Sequence, residues 1–572
     1  MKIRAGLLAA VTLLAAALLW RFQRGRAPDL APVEEALLAG DPLILGCTPD
    51  GAQLLLLSQR GDRFRLLLRE RASGSERVLD EGPVPQRGAT FSPDGTALAF
   101  AVDSGAQQQE LILVRLSRPG RERLLAAPGS LSRLSFSPDG TRLAFVHAGG
   151  GRRELAALDL ASGRAALALE ALSARSGYAF GPDGRLAAVQ AGREDRVVLT
   201  RPGLAGGAGP AGPGASREEV AAPEGSRVRG LDWSGDGRTL AISALLRGED
   251  RASLHRLTLG QQWVRLSRGE GDFVSPRLVP GSTDVIASVA DDGGSALVRC
   301  GDAGCAPLGP RDGSAAGTRF SPDGRFFYFV HTSPASPPSL FAALLHEGAV
   351  EPRSAPARAA GTAPLRVDLS SKDGTKVPAY VWRSPGARAA LIRVHGGPDL
   401  QLSRSWDAGT ELLVRSGVHV IAPNYRGSSG YGDAFEGRGA DVQGQVDDLA
   451  AACAYATGVL GVPLERVLLL GDSYGAPLAL EAAGREECRV RALMLLAMTR
   501  PRAPLSVPPV RVLAFHGELD PTPPAEARRL IEAALGGAGE VRFTVLAGEG
   551  HSFHRLSSWA QVYGGLLGLS PP

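Results

Sequence analysis

One short turn motif recurs along the first 330 residues of the chain. Its clearest copies read Phe-Ser-Pro-Asp-Gly, at residues 91–95, 136–140 and 320–324. The proline presets the backbone angle φ, the aspartate accepts hydrogen bonds from nearby backbone N–H groups, and the glycine takes a positive φ, so the chain reverses into a strand. Counting degraded copies, the aspartate position falls at residues 50, 94, 139, 183, 236, 281 and 323. The repeat length is therefore about 45 residues.

This period predicts the fold of the N-terminal part of the chain. A repeat of about 45 residues with four short strands is typical of a β-propeller. Seven repeats close a ring without leaving long open sheet edges. A Gly/Ala/Pro-rich insertion at residues 202–215 lengthens one interval. We predict a seven-bladed β-propeller over residues 28–352, because unrelated hairpins would not keep so regular a spacing.

The pattern changes after a stretch rich in Ala, Pro and Arg, which we interpret as a hinge at residues 353–365. Between residues 366 and 572, apolar runs alternate with helical segments, which favours a parallel sheet covered by helices. The predicted strands are Ala389–Val394, Val418–Ala422, Val467–Leu470, Val510–Phe515 and Val541–Leu546, and the clearest predicted helices are Val446–Thr457 and Ala525–Leu535.

A nucleophile motif follows the third of these strands. The run Gly471-Asp472-Ser473-Tyr474-Gly475 is Gly-x-Ser-x-Gly, with a buried strand before it and an apolar helix after it. This is the setting of the nucleophile elbow of an α/β-hydrolase, in which a strained serine needs tiny residues two positions away on each side. We therefore predict a C-terminal α/β-hydrolase domain at residues 366–572, with Ser473 as the nucleophile.

The acid and the base come later in the chain. A serine hydroxyl needs a base to take its proton, and the base needs a carboxylate that orients it. In this fold the chain order is Ser, then Asp or Glu, then His. Asp520 and His551 each follow a predicted strand, so we assign them as acid and base. Glu518 and His554 are the competing candidates, and His516 is interpreted as structural.

Acyl transfer also requires donors at the developing oxyanion. The backbone N–H of Tyr474 is one candidate, and the N–H of Gly397, in the loop His395-Gly396-Gly397-Pro398, is the other. His395 is interpreted as an organiser of this loop rather than as a base. No metal or organic cofactor is implied, because no His/Cys spacing is typical of a zinc site.

Together these motifs resemble the prolyl oligopeptidase family of serine peptidases, in particular its acylaminoacyl-peptidase and dipeptidyl-peptidase-like branches. The resemblance runs from about residue 40 to residue 570 and also rests on the run from Asn424 to Gly432. It implies cleavage of short peptides or acyl-peptides, with the propeller capping the active site and excluding folded proteins. It also implies that Arg426 and Tyr431 contact substrate, although a loop-stabilising salt bridge is an equally good reading of Arg426.

Two departures from the family pattern weaken the prediction of the substrate. The stretch before the strand of Asp520 is short, Met498–Pro509, where relatives usually carry helices that wall the pocket. No acidic pair for gripping a peptide amino terminus stands out, since Glu218-Glu219 is interpreted as solvated. A carboxylesterase with an opened pocket, or a catalytically inactive propeller that binds a partner, remain alternatives.

The N-terminus predicts export. Lys2 and Arg4 precede an uncharged run from Ala5 to Trp20, and we interpret residues 1–27 as an export segment, either an uncleaved membrane anchor or a cleaved signal. The protein is then expected outside the cytoplasm, in contact with the membrane if anchored. Cys300 and Cys305 can pair there, while Cys47, Cys453 and Cys488 read as buried apolar residues. The net charge is +4 and the sequence contains no basic block, which argues against nucleic acid as a partner. The oligomeric state is left open.

Overall fold

The computed structural model describes most of the chain. The described residues are 31–37, 42–105, 108–118, 120–173, 176–192, 194–202, 217–223, 225–267, 271–354, 361–490, 492–502, 505, 507–537 and 539–569. The predicted export segment, nearly all of the low-complexity insertion and the middle of the predicted hinge lie outside them. In the described part of the chain, no helix has the length and apolar character needed to cross a membrane.

Contacts divide the described chain into two compact units. The β-sheet unit contains residues 42–333 and 338–354, and the α/β unit contains residues 31–37, 334–337 and 361–569. The prediction of a propeller over residues 28–352 is wrong for helix Ala31–Leu37, which belongs to the α/β unit. Val33 of that helix is buried in the apolar core of the α/β unit, beside Tyr380 and Leu412.

The β-sheet unit consists of seven consecutive groups of four strands. The strands are β1 Leu43–Cys47, β2 Gln53–Arg60, β3 Arg63–Glu70, β4 Glu76–Gly82; β5 Arg87–Phe91, β6 Ala97–Gly105, β7 Gln108–Arg115, β8 Arg121–Pro128; β9 Ser130–Phe136, β10 Arg142–Gly149, β11 Arg152–Asp159, β12 Ala165–Leu169; β13 Tyr178–Phe180, β14 Leu186–Gln190, β15 Arg196–Thr200, β16 Arg217–Val220; β17 Arg227–Trp233, β18 Thr239–Leu245, β19 Ser253–Thr258, β20 Trp263–Arg265; β21 Asp272–Leu278, β22 Val285–Asp291, β23 Gly294–Gly301, β24 Gly304–Pro307; β25 Ser314–Phe320, β26 Phe326–Ser333, β27 Ser336–Leu344, β28 Val350–Pro352.

Each group is an antiparallel meander in chain order. The first five groups form separate four-stranded sheets, and the last two are joined by a single parallel pairing of Ser295 with Ser314. Short strands with the next strand always adjacent in sequence need only tight turns, which the repeated motif supplies.

The repeated motif links the first and second strands of a group. In the copy at residues 91–95, the Ser92 hydroxyl donates to the Asp94 carboxylate at 2.5 Å, and that carboxylate accepts from the Thr96 N–H at 3.0 Å. Gly95 has a φ of +69° and donates its N–H to the Ser92 carbonyl. Hydrogen bonds from the Ser92 hydroxyl and from the N–H and hydroxyl of Thr96 hold the pKa of Asp94 below its usual range. The motif aspartates are turn formers, as the sequence predicted.

The apolar cores of this unit lie between neighbouring sheets. Each cluster of buried side chains combines residues of two successive groups. One further cluster joins the first group to the last, with Leu54, Leu56 and Leu67 packed against Tyr328 and Val330. The first and seventh groups are therefore held together by side-chain packing.

This closing contact predicts a selective loss of stability. Leu56 is fully buried in it, whereas Leu43 of the same group is 40% exposed. Replacing Leu56 by Ala is expected to cost about 2–5 kcal/mol, because it removes buried methyl groups and leaves a cavity. Pulse proteolysis at graded urea concentrations, with fragments assigned by mass, measures the loss. Leu43→Ala is the matched control, and equal losses in the two variants would contradict the packing described.

The α/β unit is built on one eight-stranded sheet. Its strands are β29 Leu365–Ser370, β30 Lys376–Trp382, β31 Ala389–Val394, β32 Val418–Pro423, β33 Val467–Asp472, β34 Ala492–Leu496, β35 Arg511–Gly517 and β36 Val541–Leu546, in the spatial order β29-β30-β32-β31-β33-β34-β35-β36. β31 to β36 are parallel, and β29 and β30 add an antiparallel edge. The predicted parallel strands are all present.

Helices cover both faces of this sheet. They are α1 Ala31–Leu37, α2 Ala408–Arg415, α3 Asp433–Glu436, α4 Val442–Gly458, α5 Gly475–Ala482, α6 Pro524–Ala534 and α7 Leu556–Leu569. Helices α4, α5 and α6 share one apolar core with the sheet, and α1, α2 and α7 share the other. Burial on both faces explains why the strands read as continuous apolar runs.

Two disulfides differ in how well the sequence anticipated them. Cys300 and Cys305, which the sequence left as a possible pair, are bonded between β23 and β24. Cys453 of α4 is bonded to Cys488, although the sequence analysis interpreted both as unpaired apolar residues. Their separation of 35 residues carries no pairing signal, and only the packing of α4 brings them together. Cys47 is buried with a free thiol.

Candidate active site

Ser473 lies at a sharp turn between β33 and α5. Its φ is +54°, in the left-handed region that a residue with a side chain rarely adopts. Close backbone contacts require both flanking glycines. A Cβ added to Gly471 would lie 2.4 Å from the Gly475 carbonyl oxygen, and a Cβ added to Gly475 would lie 2.4 Å from the Val394 carbonyl oxygen. The elbow predicted from the motif is thus present, with the serine side chain only partly buried.

The predicted acid and base meet at this serine. The Oγ of Ser473 lies 2.8 Å from Nε2 of His551, and Nδ1 of His551 lies 2.7 Å from Oδ2 of Asp520. Asp520 follows β35 and His551 follows β36, so the carboxyl ends of neighbouring parallel strands bring the three side chains together. This is the geometry in which a histidine removes the serine proton while a carboxylate orients the ring.

The charges of this triad are coupled. The hydrogen bond from His551 to Asp520 raises the pKa of His551 above its ordinary value, against the opposing effect of burial. Burial acts to raise the pKa of Asp520, but the hydrogen bonds from His551 and from the Thr522 N–H outweigh it and hold that pKa low. Asp520 is therefore ionised near neutral pH, and the imidazole is a stronger base than a free histidine.

The proposed oxyanion donors border the nucleophile. A Cβ added at Gly396 would lie 3.3 Å from the Ser473 Cβ, so the glycine loop after β31 passes directly beside the serine. Among the residues that the structure describes, none accepts a hydrogen bond from the N–H of Gly397 or of Tyr474. Both donors predicted from the sequence are therefore available to a substrate oxygen.

A comparison with protein families supports this arrangement. Residues 404–499, which contain Ser473, match the model of the prolyl oligopeptidase family. Over that segment the α/β unit is similar to this family of serine peptidases. A rice relative, acylamino-acid-releasing enzyme 1 of Oryza sativa subsp. japonica, is 26% identical over 132 residues, which are 21% of this chain and 17% of the rice protein.

Solved structures extend the likeness to both units. A Mycobacterium tuberculosis puromycin-hydrolyzing peptidase aligns with a TM-score of 0.74 at 19% identity, over 93% of this chain and 94% of that one. A structure from a study of two prolyl endopeptidases gives 0.77 at 16% identity, over 99% and 94%. The Pyrococcus horikoshii acylaminoacyl peptidase gives 0.63 at 11% identity, over 90% and 93%. At these identities the likeness concerns the fold, a β-propeller joined to an α/β-hydrolase domain.

Arg426 does not have the substrate-binding role that the resemblance implied. Its side chain is 2% exposed, and its guanidinium donates to the carboxylates of Asp448, Asp441 and Asp373 and to the Ser371 hydroxyl. All of its N–H groups are used inside the protein. Arg426 thus holds its loop against α4 and β29, which was the alternative interpretation.

Tyr431 remains a candidate for substrate contact. It is half-buried, its hydroxyl accepts a hydrogen bond from the Asn424 side chain, and its ring lies 5.7 Å from that of Phe435.

The other histidines near the site are structural. His395 is buried, lies 2.9 Å from the Ser428 hydroxyl and stacks on Tyr425 with ring centroids 4.3 Å apart. Burial lowers the pKa of His395 to about 4, so the ring stays neutral. His516 contacts the carbonyl of Thr522 in the loop that carries Asp520. Both placements agree with the sequence interpretation of these residues as organisers of loops.

Two residues of the site were missed by the sequence analysis. The Thr499 hydroxyl donates to the Ser473 carbonyl at 3.2 Å and so supports the elbow. Asp472 has an exposed side chain that makes no hydrogen bond with any described residue, and its charge raises the pKa of His551. The position of Asp472 next to the nucleophile could have indicated its influence on His551. Thr499 lies on a loop where no sequence motif indicates a role.

The charge of Asp472 predicts a change in pH dependence. His551 must be neutral to act as a base, so activity rises as pH passes upward through its raised pKa. Asp472→Asn removes one negative charge and lowers that pKa, so we expect the acidic limb of the kcat/KM profile to move to lower pH. Asp368→Asn, an exposed change on β29, is the control. An unmoved or upward-shifted limb in Asp472→Asn would refute the coupling.

Proposed function

We propose that this chain is a peptidase that hydrolyses short peptides or acyl-peptides through an acyl-enzyme at Ser473. The observation that carries the proposal is the continuous hydrogen-bonded path from Ser473 through His551 to Asp520. The family match supports a peptidase over other hydrolases. The relatives named for acylaminoacyl peptides and for puromycin suggest small substrates with an acyl or aminoacyl group.

Each residue of the site has a role in the proposed reaction. His551 takes the proton of Ser473 as its Oγ attacks the scissile carbonyl carbon, and the N–H groups of Tyr474 and Gly397 stabilise the oxyanion. His551 then gives its proton to the leaving amine. Water attacks the acyl-enzyme in the same way and releases the acid. Asp520 holds the imidazole in the productive tautomer throughout.

The pocket beside the scissile bond is the least constrained part of the proposal. The segment between β34 and β35 is 14 residues long, 497–510, and its described residues form no helix. Relatives in this family usually place pocket-forming helices there. A short segment favours an open pocket and keeps a carboxylesterase as the second candidate.

We also infer that the propeller has seven blades and limits the size of substrates. Seven groups of four strands, with a cluster that joins the first group to the last, support the blade count. The family resemblance supports the size limit, since the propellers of this family exclude folded proteins. Export of the chain is proposed on the basic and apolar pattern of residues 1–27, and the two disulfides suit an oxidising compartment.

Removal of the nucleophile tests the enzyme assignment. Ser473→Ala is expected to lower hydrolysis of short peptidyl and acyl-aminoacyl reporters by about 10⁴-fold or more. It should also abolish labelling by a fluorophosphonate probe. Ser403→Ala, which changes an exposed serine, is the control and should keep both. If the folded wild-type protein is not labelled, both enzyme candidates are excluded, and the remaining hypothesis is a catalytically inactive propeller that binds a partner.

Matched ester and amide reporters of the same acyl group separate the two enzyme candidates. A peptidase hydrolyses both bonds, because its acid–base pair can protonate a leaving amine. Hydrolysis of the esters alone would replace the proposal with a carboxylesterase.

The size limit has its own test in the full-length protein. A short reporter sequence is compared with the same sequence embedded in a long peptide and in a folded domain. We expect kcat/KM to fall by about an order of magnitude or more in the longer substrates, because access to a closed site selects by size. Equal rates for all three substrates would remove the gating role from the proposal.

A further inference from the structure

The residue that precedes the turn motif occupies an equivalent position in each of the seven sheets. The first strands of neighbouring sheets contact one another, as in the pairs β5 with β9, β13 with β17, β17 with β21 and β25 with β1. Sheets arranged around a ring approach each other most closely at their innermost strands, so the first strands line the inside. The last residue before each turn motif then occupies the same level of this lining. These residues are Gly46, Thr90, Ser135, Ala179, Asp232, Arg277 and Arg319.

Two of these equivalent residues are neighbouring arginines. The guanidinium carbon of Arg277 lies 6.0 Å from the ring centre of Phe320 in the next sheet. That of Arg319 lies 5.4 Å from the ring centre of Phe91, two sheets further along the ring. The first sheet lies between the sheets of Arg319 and Phe91 and carries Gly46 at this level, where an added Cβ would meet no atom within 4 Å. The first sheet therefore offers no side chain at this level that could pair with either cation.

These guanidinium groups have donors without acceptors. Nη1 of Arg319 and Nε of Arg277 are buried and have no hydrogen-bond partner in the described structure. Arg319 forms no ion pair with any residue that the structure describes, while Arg277 lies 3.7 Å from a carboxylate oxygen of Asp232. That same oxygen already accepts the N–H of Leu278 at 2.7 Å. Both side chains are only partly buried, with that of Arg277 40% exposed. A buried N–H group without an acceptor is nevertheless costly and calls for a partner.

The surroundings supply too little negative charge to satisfy this pair. Burial raises the pKa of the nearby Cys47 thiol to about 11, so the thiol is neutral at physiological pH. Burial, with the repulsion of Arg277, lowers the pKa of Arg319. Among the residues that the structure describes, Asp232 is the one carboxylate that forms an ion pair with either guanidinium group. Water can satisfy an N–H group, but only an anion also neutralises the excess charge.

We infer that Arg277 and Arg319 form a binding site for a small oxyanion, either a carboxylate or a phosphate. Guanidinium groups present planar N–H pairs that match the oxygens of both. The hydroxyls of Thr90 and Ser135 lie at the same level of the ring and add donors of the type that such oxygens accept. The site lies wholly in the β-sheet unit and goes beyond the proposed hydrolysis, since it requires none of the catalytic residues.

Calorimetric titration of the full-length protein tests the site. The probes are sodium phosphate, N-acetylglycine and N-acetylglycinamide, at constant ionic strength. We expect saturable binding of at least one oxyanion and none of the amide, which lacks the charge. Arg319→Gln should weaken that binding by about tenfold or more. Arg60→Gln, which removes an exposed positive charge from β2, should leave it unchanged.

The outcomes separate the possible ligands. Binding of N-acetylglycine alone identifies a carboxylate site, and binding of phosphate alone identifies a phosphate site. No saturable binding of either, equal binding of the amide, or full binding by Arg319→Gln overturns the inference. Fluorophosphonate labelling at Ser473 reports whether the variants are folded. A rise in the melting temperature of the wild-type protein with the bound anion, against matched chloride, tests the site without any substitution.

Discussion

The strained backbone of Ser473 is the constraint on which the active site depends. A serine at a φ of +54° is stable only where its surroundings hold it. Here the Ser473 N–H donates to the Leu496 carbonyl of the neighbouring strand, and the Ser473 carbonyl accepts from Ala476 and from Thr499. Because β33 is central in the sheet, these contacts hold the hydroxyl at the sheet edge where His551 and Asp520 also arrive.

Two arginines illustrate two uses of the same side chain. Three aspartates and the Ser371 hydroxyl accept hydrogen bonds from the guanidinium of Arg426, so it stabilises the loop and has no N–H group left for a substrate. Arg319 has an aromatic ring and a neutral thiol beside it, and one buried nitrogen without an acceptor. The sequence left Arg426 open between substrate contact and a loop-stabilising salt bridge, and it indicated no role for Arg319. The number of partnered donors distinguishes a structural cation from a binding one.

Local patterns predicted most of the architecture, because they record physics within a few residues. The turn motif needs its hydroxyl, aspartate and glycine at fixed offsets, and Ser92, Asp94 and Gly95 make these bonds with one another. The buried strands of the α/β unit are apolar throughout because both sheet faces are covered. The pairing of Cys453 with Cys488 and the packing of Val33 on the α/β core were not predicted, because each joins segments without a local pattern.

The order of nucleophile, acid and base can be predicted from the sequence without the structure, and so can the repeated turns that divide the first 330 residues. Chain order suffices for these because each residue follows a strand, and parallel strands end at one edge. Folding brings together the polar residues that the sequence does not pair: Asp472 with His551, Thr499 with the Ser473 carbonyl, and Arg277 with Arg319. Electrostatic and hydrogen-bond partners are chosen by distance in space, which separation along the chain does not encode.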